Sequence, residues 1–348
     1  MARDHQRAYL DKLVERVRSI STLLNIPPTP VELISGDEAR ELQPDLAPEI
    51  TLALHSPETG IVDSHALMES FEKEIGESNS GELVYSTRVV RVDPYHSHQP
   101  TGTLFPDGTS EGWVVQTVTS TDSKAETDSD ALLARVLINA SGLNANLVLN
   151  SLLPRSRAIP MHYARGSYAA YRGPGIARIS KLIYPVPDSA ATASGTGESF
   201  KFQSLGTHLT LDMHGNVRFG PDLEWLTPPS LPGTPADTFI FDEDAIDFWE
   251  HHLIADENRD RIEAMHRSVA SYLPGIVLEG LRPDYVGIRP KLVGPEGGFQ
   301  DFQVRIDQAA DFGGSGNAPM VSLLGFESPG LTASLAIGEY VAGCLKRP

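Results

Sequence analysis

The chain has 348 residues, 40% hydrophobic and 21% charged, which allows two lobes with buried cores. Its formal net charge of −18 repels phosphate, so nucleic acid and an anionic membrane surface are excluded as general partners. A single cysteine, Cys344, excludes an internal disulfide, a CxxC redox pair and a zinc-finger pattern, and no run approaches the roughly 20 apolar residues of a transmembrane helix.

Leu10, Leu13, Val14, Val17 and Ile20 recur at spacings of three and four, predicting one apolar stripe on a helix over 4–24, ended by Pro27, Pro28 and Pro30. The start, Met1-Ala-Arg-Asp-His-Gln-Arg, has neither the apolar core of a secretory signal nor a long Arg/Ser-rich transit stretch, and assigns no location. An apolar run at 31–34, a helix start at Ser35-Gly-Asp-Glu38, a strand at 50–54 and a helix at 64–75 follow. Val84, Thr87, Val89, Val90 and Val92 predict a strand over 83–92. Polar stretches at 94–112 and 120–130 flank the apolar run 113–118, predicting a hairpin-like excursion with loops.

Residues 134–142 read as a buried strand running into a glycine turn, and 145–153 as the following helix, half of a βαβ unit. Short strands at 166–171, 182–185, 208–211 and 217–219 predict an antiparallel sheet. A Pro/Ser/Gly loop at 228–237 and helices at 242–253 and 258–273 come next, with Asp242, Glu243 and Asp244 as dipole-complementing residues. Strands at 285–291, 302–306 and 320–324 precede a closing helix at 331–345. Strands in one lobe, then another, then back again predict a substrate domain inserted into a nucleotide domain. The divisions fall at 1–55, 56–155 with the loop-rich insert at 94–130, 156–284, and 285–348.

Two segments can carry ligand chemistry. In Leu323-Leu-Gly-Phe-Glu-Ser-Pro-Gly-Leu-Thr332 a strand passes through a small-residue turn into a helix, whose free N–H groups and positive dipole end suit an anion or an electron-rich ring. A helix start without a ligand fits the same residues equally well, while a hydrolase elbow does not, because Gly325 to Gly330 is one residue too long for G-x-S-x-G. In Ile138-Asn-Ala-Ser-Gly142 a strand ends in small residues that let a dinucleotide approach the backbone, although any buried strand can end this way. The pairs His96/His98 and His251/His252 lack metal-site spacing, so no metal is expected.

Five segments in order resemble the L-2-hydroxyglutarate dehydrogenase branch of the FAD-dependent, D-amino-acid-oxidase-like superfamily. They are Ser56-Pro-Glu-Thr-Gly-Ile-Val-Asp63, Ile138-Asn-Ala-Ser-Gly142, Ile183-Tyr-Pro-Val-Pro-Asp188 with Leu205-Gly-Thr-His-Leu-Thr210, Val286-Gly-Ile-Arg-Pro-Lys291, and Glu327-Ser-Pro-Gly-Leu-Thr332. The resemblance implies an α/β (α+β) fold, in which a Rossmann-like FAD/NAD(P)-binding domain carries an inserted antiparallel-sheet substrate domain. It also implies FAD, oxidation of L-2-hydroxyglutarate to 2-oxoglutarate, an electron acceptor the sequence does not name, and a mitochondrial location if the source is eukaryotic.

Oxidising a 2-hydroxy acid at C2 requires a base for the hydroxyl proton, a cation for the carboxylates and a flavin facing the C–H. On the resemblance, His208 is the candidate base; from residues alone a histidine hydrogen-bonded within a sheet fits as well. Arg289 is the candidate carboxylate clamp, with Arg165 and Lys291 as second choices that ordinary ion pairs would also explain. Tyr184 is placed to offer a hydroxyl or simply to pack. Gly142, Ser328, Pro329, Gly330, Leu331 and Thr332 are the expected FAD contacts, with Val90 on the adenine side.

One part of the pattern does not match. No G-x-G-x-x-G lies between a strand and a helix: Gly313-Gly-Ser-Gly-Asn-Ala and Gly195-Thr-Gly-Glu-Ser-Phe both lack the last glycine. The resemblance therefore implies a nucleotide domain incomplete at its N-terminus, truncated by about one βαβ unit and its following loop. A chain of this kind is expected to hold FAD poorly and to purify colourless. Three readings stay open: an enzyme, a remnant that no longer catalyses, and a flavin-dependent amine or amino-acid oxidase.

Overall fold

The computed structural model describes residues 1–96, 111–120, 127–186, 206–227, 251–255, 257–296, 298 and 300–346. In these lie strands β1 (Glu32–Ser35), β2 (Leu52–His55), β3 (Thr87–Pro94), β4 (Trp113–Ser120), β5 (Thr127–Ala134), β6 (Leu137–Asn139), β7 (His162–Tyr171), β8 (His208–Leu211), β9 (Val217–Leu226), β10 (Leu281–Lys291), β11 (Gln303–Gln308) and β12 (Pro319–Leu324). The helices are α1 (Arg7–Leu24), α2 (Gly36–Leu42), α3 (Ser64–Ser78), α4 (Ala145–Asn150), α5 (Arg259–Ala270) and α6 (Gly330–Leu345). The predicted helix at 242–253, the loop at 228–237, His98, Asp188, Leu205 and the Gly195 segment fall wholly or mostly outside the described residues.

The largest sheet is antiparallel, in the order β10-β7-β9-β8. Side chains alternate across its faces. On one face Leu209, Phe219, Ala169 and Leu281 are buried against Met265 and Val269 of α5 and against Ile34, Ala39 and Ile50 near α2. Arg261 locks α5 to this face through Asp222 at 2.7 Å, Glu224 at 2.5 Å and Ser167 at 3.1 Å. The opposite face lies over a cleft.

A second sheet runs β11-β12-β6, with β11 antiparallel and β6 parallel to the central β12. Met320, Val321, Ser322 and Leu324 of β12 are fully buried. The predicted buried strand over 134–142 shrinks to the three residues of β6, and Ile138 is 48% exposed because its side chain faces an open cleft. Trp113, Leu149, Tyr163, Met320 and Leu324 form the core that joins this sheet to the first.

The third sheet, β3-β4-β5, corrects the hairpin expected over 94–130. Residues 127–130 fall in the polar stretch expected over 120–130, yet as part of β5 they pair with β4, and the two strands pair along their full length. β3 starts at Thr87, not at Leu83. The strand expected at 182–185 is a single bridge, Ile183 to Leu209, since Pro185 cannot donate to a ladder. Helix α1 begins at Arg7 after a 3-10 turn, and its stripe is buried only at Leu10 and Val14, while Ile20 is exposed. The helix expected over 145–153 ends at Asn150, and Leu152 and Leu153 close it with turn hydrogen bonds.

Candidate active site

The register of the four-stranded sheet decides which side chains meet. His208 lies opposite Gly220 and Thr210 opposite Arg218, so His208, Thr210 and Arg218 share the face away from Leu209 and Phe219. On β10, Tyr285, Arg289 and Lys291 line the same cleft, joined by Tyr168 of β7 and Leu223 and Trp225 of β9. Tyr184 and the Gly60-Ile61-Val62 segment complete the walls of a cavity of about 450 Å³.

His208 is buried, its ring stacked on Tyr184 with centroids 4.1 Å apart. Its Nδ1 is 3.2 Å from the Gly206 carbonyl oxygen. A carbonyl has no proton to give, so Nδ1 carries the hydrogen and Nε2 keeps its lone pair. Burial first, and then the nearby Arg289 charge, push the imidazole pKa down to about 4 against the opposing pull of Gly206, leaving a neutral ring at pH 7. Burial likewise raises the Tyr184 hydroxyl above its ordinary value.

Arg289 and Lys291 flank one carboxylate, Glu327, at 3.6 Å and 2.5 Å. Two cations against one anion leave surplus positive charge, and the looser partner is Arg289. Glu327 also fixes the turn into α6, where its carbonyl accepts from the Gly330 N–H at 2.5 Å. Gly325, at φ +68°, opens that turn; a Cβ there would lie 2.7 Å from Leu292.

Beyond Glu327 a second cleft of about 880 Å³ runs between β6, β12 and α6. It is lined by Gly142, Ser328, Pro329, Gly330, Leu331 and Thr332, all expected cofactor contacts. No side chain caps α6; the Gly330 N–H is taken by the Glu327 carbonyl, which leaves the Leu331 and Thr332 N–H groups of the first turn to face a ligand. Gly142 has φ +60° with nothing within 4 Å of an added Cβ. Its turn is set by buried Asn139, which donates to the Ala145 carbonyl at 2.7 Å and accepts from Ser141 Oγ at 2.6 Å. These features fit the ring end of a flavin: a mainly apolar cleft with backbone donors at the start of α6. Arg289, Glu327 and Ser328 line both cavities, so the two adjoin at these residues.

Two predicted residues are not brought here. Arg165 points to the opposite sheet face, where it pairs with Glu224 at 3.5 Å and donates to the Ile254 carbonyl at 2.5 Å, because odd-numbered positions of β7 face α5 in this stretch. Val90 sits at the irregularity of β3, 48% exposed, and does not line the α6 cleft. Conversely, Arg218, Tyr168, Tyr285 and Trp225 line the site without having been singled out; the signal available was strand alternation with His208, once β9 was paired with β8.

The chain belongs to the FAD dependent oxidoreductase family, which matches residues 1–343. It is 30% identical over 334 residues to the mitochondrial L-2-hydroxyglutarate dehydrogenase of Arabidopsis thaliana, covering 90% of this chain and 59% of that protein. It is 24% identical over 326 residues to L-2-hydroxyglutarate dehydrogenase of Indibacter alkaliphilus, covering 88% of this chain and 68% of that one. Among solved structures it resembles FAD-bound L-alpha-glycerophosphate oxidase of Mycoplasma pneumoniae, with a TM-score of 0.61 and 17% identity over 99% of this chain and 70% of that one. Glycine oxidase of Geobacillus kaustophilus gives a TM-score of 0.59 at 16% identity, covering 98% of this chain and 68% of that one, a likeness of fold. No helix among the described residues is long and apolar enough to cross a membrane.

Proposed function

We propose that this chain carries the substrate site and the flavin-ring site of an FAD-dependent 2-hydroxy-acid dehydrogenase acting on L-2-hydroxyglutarate to give 2-oxoglutarate. The observation that carries the reading is the junction of the clefts, where Arg289, Glu327 and Ser328 border both the pocket of His208 and the start of α6. When bound, FAD supplies the two-electron acceptor for the C2–H.

The chain's own residues supply the rest. Arg289 grips the carboxylate next to C2, a task suited to a guanidinium whose ion pair with Glu327 is long. His208 Nε2 takes the hydroxyl proton; its hydrogen bond to Gly206 holds the tautomer and Tyr184 holds the ring plane. The first turn of α6, with Ser328 to Thr332, and the Gly142 turn hold the flavin ring. The electron acceptor that reoxidises it and a mitochondrial location belong to the same proposal.

The test is bleaching of the visible flavin band under anaerobic conditions with FAD supplied in excess. L-2-hydroxyglutarate is expected to bleach it and 2-oxoglutarate to accumulate. His208→Ala should slow flavin reduction by roughly 10²–10⁴-fold with little change in substrate affinity. Arg289→Ala should chiefly raise the substrate concentration required. Bleaching by amino acids alone would overturn the substrate assignment in favour of an amine-oxidising relative.

A further inference from the structure

We propose that Arg218 reads the far carboxylate of the substrate, so that the pocket selects a dicarboxylic 2-hydroxy acid over a monocarboxylic one of the same length. This rests on the hydroxy-acid reading above and deepens it. Arg218 comes from β9, one strand from His208, and its register partner Thr210 is two residues along β8 from His208, which puts all three on the cleft face. Arg289 comes from the far edge strand, β10, opposite Ala164, whereas Arg218 lies opposite Ala170. Six positions along β7 are about 20 Å of backbone, so the two arginines approach the His208–Tyr184 stack from opposite ends.

The guanidinium of Arg218 is held but not used up. Its Nε donates to Asp284, and its Nη1 is 3.8 Å from Asp212, beyond hydrogen-bond distance. The terminal nitrogens, the fork that matches a carboxylate, make no hydrogen bond among the described residues. The head lies 5.7 Å from the centroid of Tyr285, which is stacked on Tyr168 at 4.4 Å. Packing against this aromatic pair limits the directions the fork can take. Between the two arginines the floor is low: an added Cβ at Gly287 meets nothing within 4 Å. An open trough with an arginine fork at each end and a base between fits a short-chain diacid. A monoacid would leave the Arg218 fork without its partner.

Calorimetric titration of the intact chain with 2-oxoglutarate and with 2-oxovalerate, which has a methyl group in place of the far carboxylate, tests this without turnover. Trp225 lines the pocket, so its fluorescence gives a second readout. The wild-type protein is expected to bind 2-oxoglutarate at least 10-fold more tightly than 2-oxovalerate. Arg218→Gln should abolish that preference while leaving 2-oxovalerate affinity unchanged, and Arg289→Gln should weaken both. Arg218→Lys keeps the ion pair with Asp284 but loses the planar fork, and should retain only part of the preference, with folding checked by circular dichroism. Equal weakening of both acids by the Arg218 variants, or no effect on either, would overturn the assignment. Binding of neither acid by the wild-type chain would overturn the hydroxy-acid reading itself.

Discussion

The sheet that carries His208 and the elements around the α6 cleft differ in how they are covered. Behind the first, Leu209, Phe219, Val269 and Leu273 are fully buried, so the strands under the His208 cavity rest on packed core. Around the second, Ile138 is 48% exposed, Leu331 46%, Leu335 65% and Tyr340 60%. The packed layer reaches β12 on the α6 side, where Met320, Val321 and Leu324 are buried, but among the described residues it does not extend over β6 and α6. Geometry that depends on packing is therefore held at His208 and Arg218 more firmly than at Gly142 and Leu331.

Removing a side chain from the packed side gives the largest expected effect. Phe219→Ala takes a ring from between Tyr171, stacked edge-on at 5.7 Å, and α5, and should cost about 3–5 kcal/mol in urea unfolding. A loss under 1 kcal/mol would show that this core is no better packed than the α6 side.

The sequence revealed the site unevenly. His208, Arg289 and Tyr184 were legible because they lie in short motifs, and the strands bring all three to one cavity. Gly142 and Ser328 to Thr332 were legible as helix or turn starts, and they line one cleft. Arg218 was not. It lies inside the strand expected over 217–219, but only the pairing of β9 with β8 puts it on the face of His208, and the expected strand was also too short. β9 continues to Leu226 because β8 pairs only as far as Gly220, and past that point Pro221 has no β8 carbonyl to serve. Arg165 failed for the converse reason: adjacent residues of a strand face opposite ways, and a motif does not reveal which parity faces the cleft.

Acid exposes the same contrast at the next magnitude. The His208 pKa falls from 6.5 in the unfolded chain to about 4 when buried, so between these values the unfolded state binds the proton that the folded state refuses. Stability is complete above about pH 6.5 and declines as pH falls toward 4, by about 3 kcal/mol from this group. His208→Phe, which keeps a ring against Tyr184, should lose that part of the pH slope in denaturation curves taken at pH 7 and pH 4. An unchanged slope would place the histidine in a wetter setting than its burial indicates. At the boundary of the two regions, Asn139→Ala strips hydrogen bonds from the Ala145 carbonyl and Ser141 and should cost about 1–3 kcal/mol. Because Asn139 shapes the Gly142 turn, the variant should also weaken binding of added FAD, read by quenching of flavin fluorescence.

The smallest effect belongs to the exposed side. Leu335 is 65% exposed on α6, between Ser334 and Ile337, which line the cleft, and does not line it itself. In a surface position Leu335→Ala should shift stability by less than about 0.5 kcal/mol, since alanine adds helix propensity and little contact is lost. Thermal denaturation at two protein concentrations tenfold apart sharpens the comparison. A near-zero change at both places Leu335 in water and confirms that the two halves of the site rest on unequal support. A loss above 1 kcal/mol that grows with protein concentration would mean that another chain covers α6 in solution, because only association makes stability depend on concentration. The asymmetry between the two regions would then be a property of the isolated chain and not of the protein at working concentration.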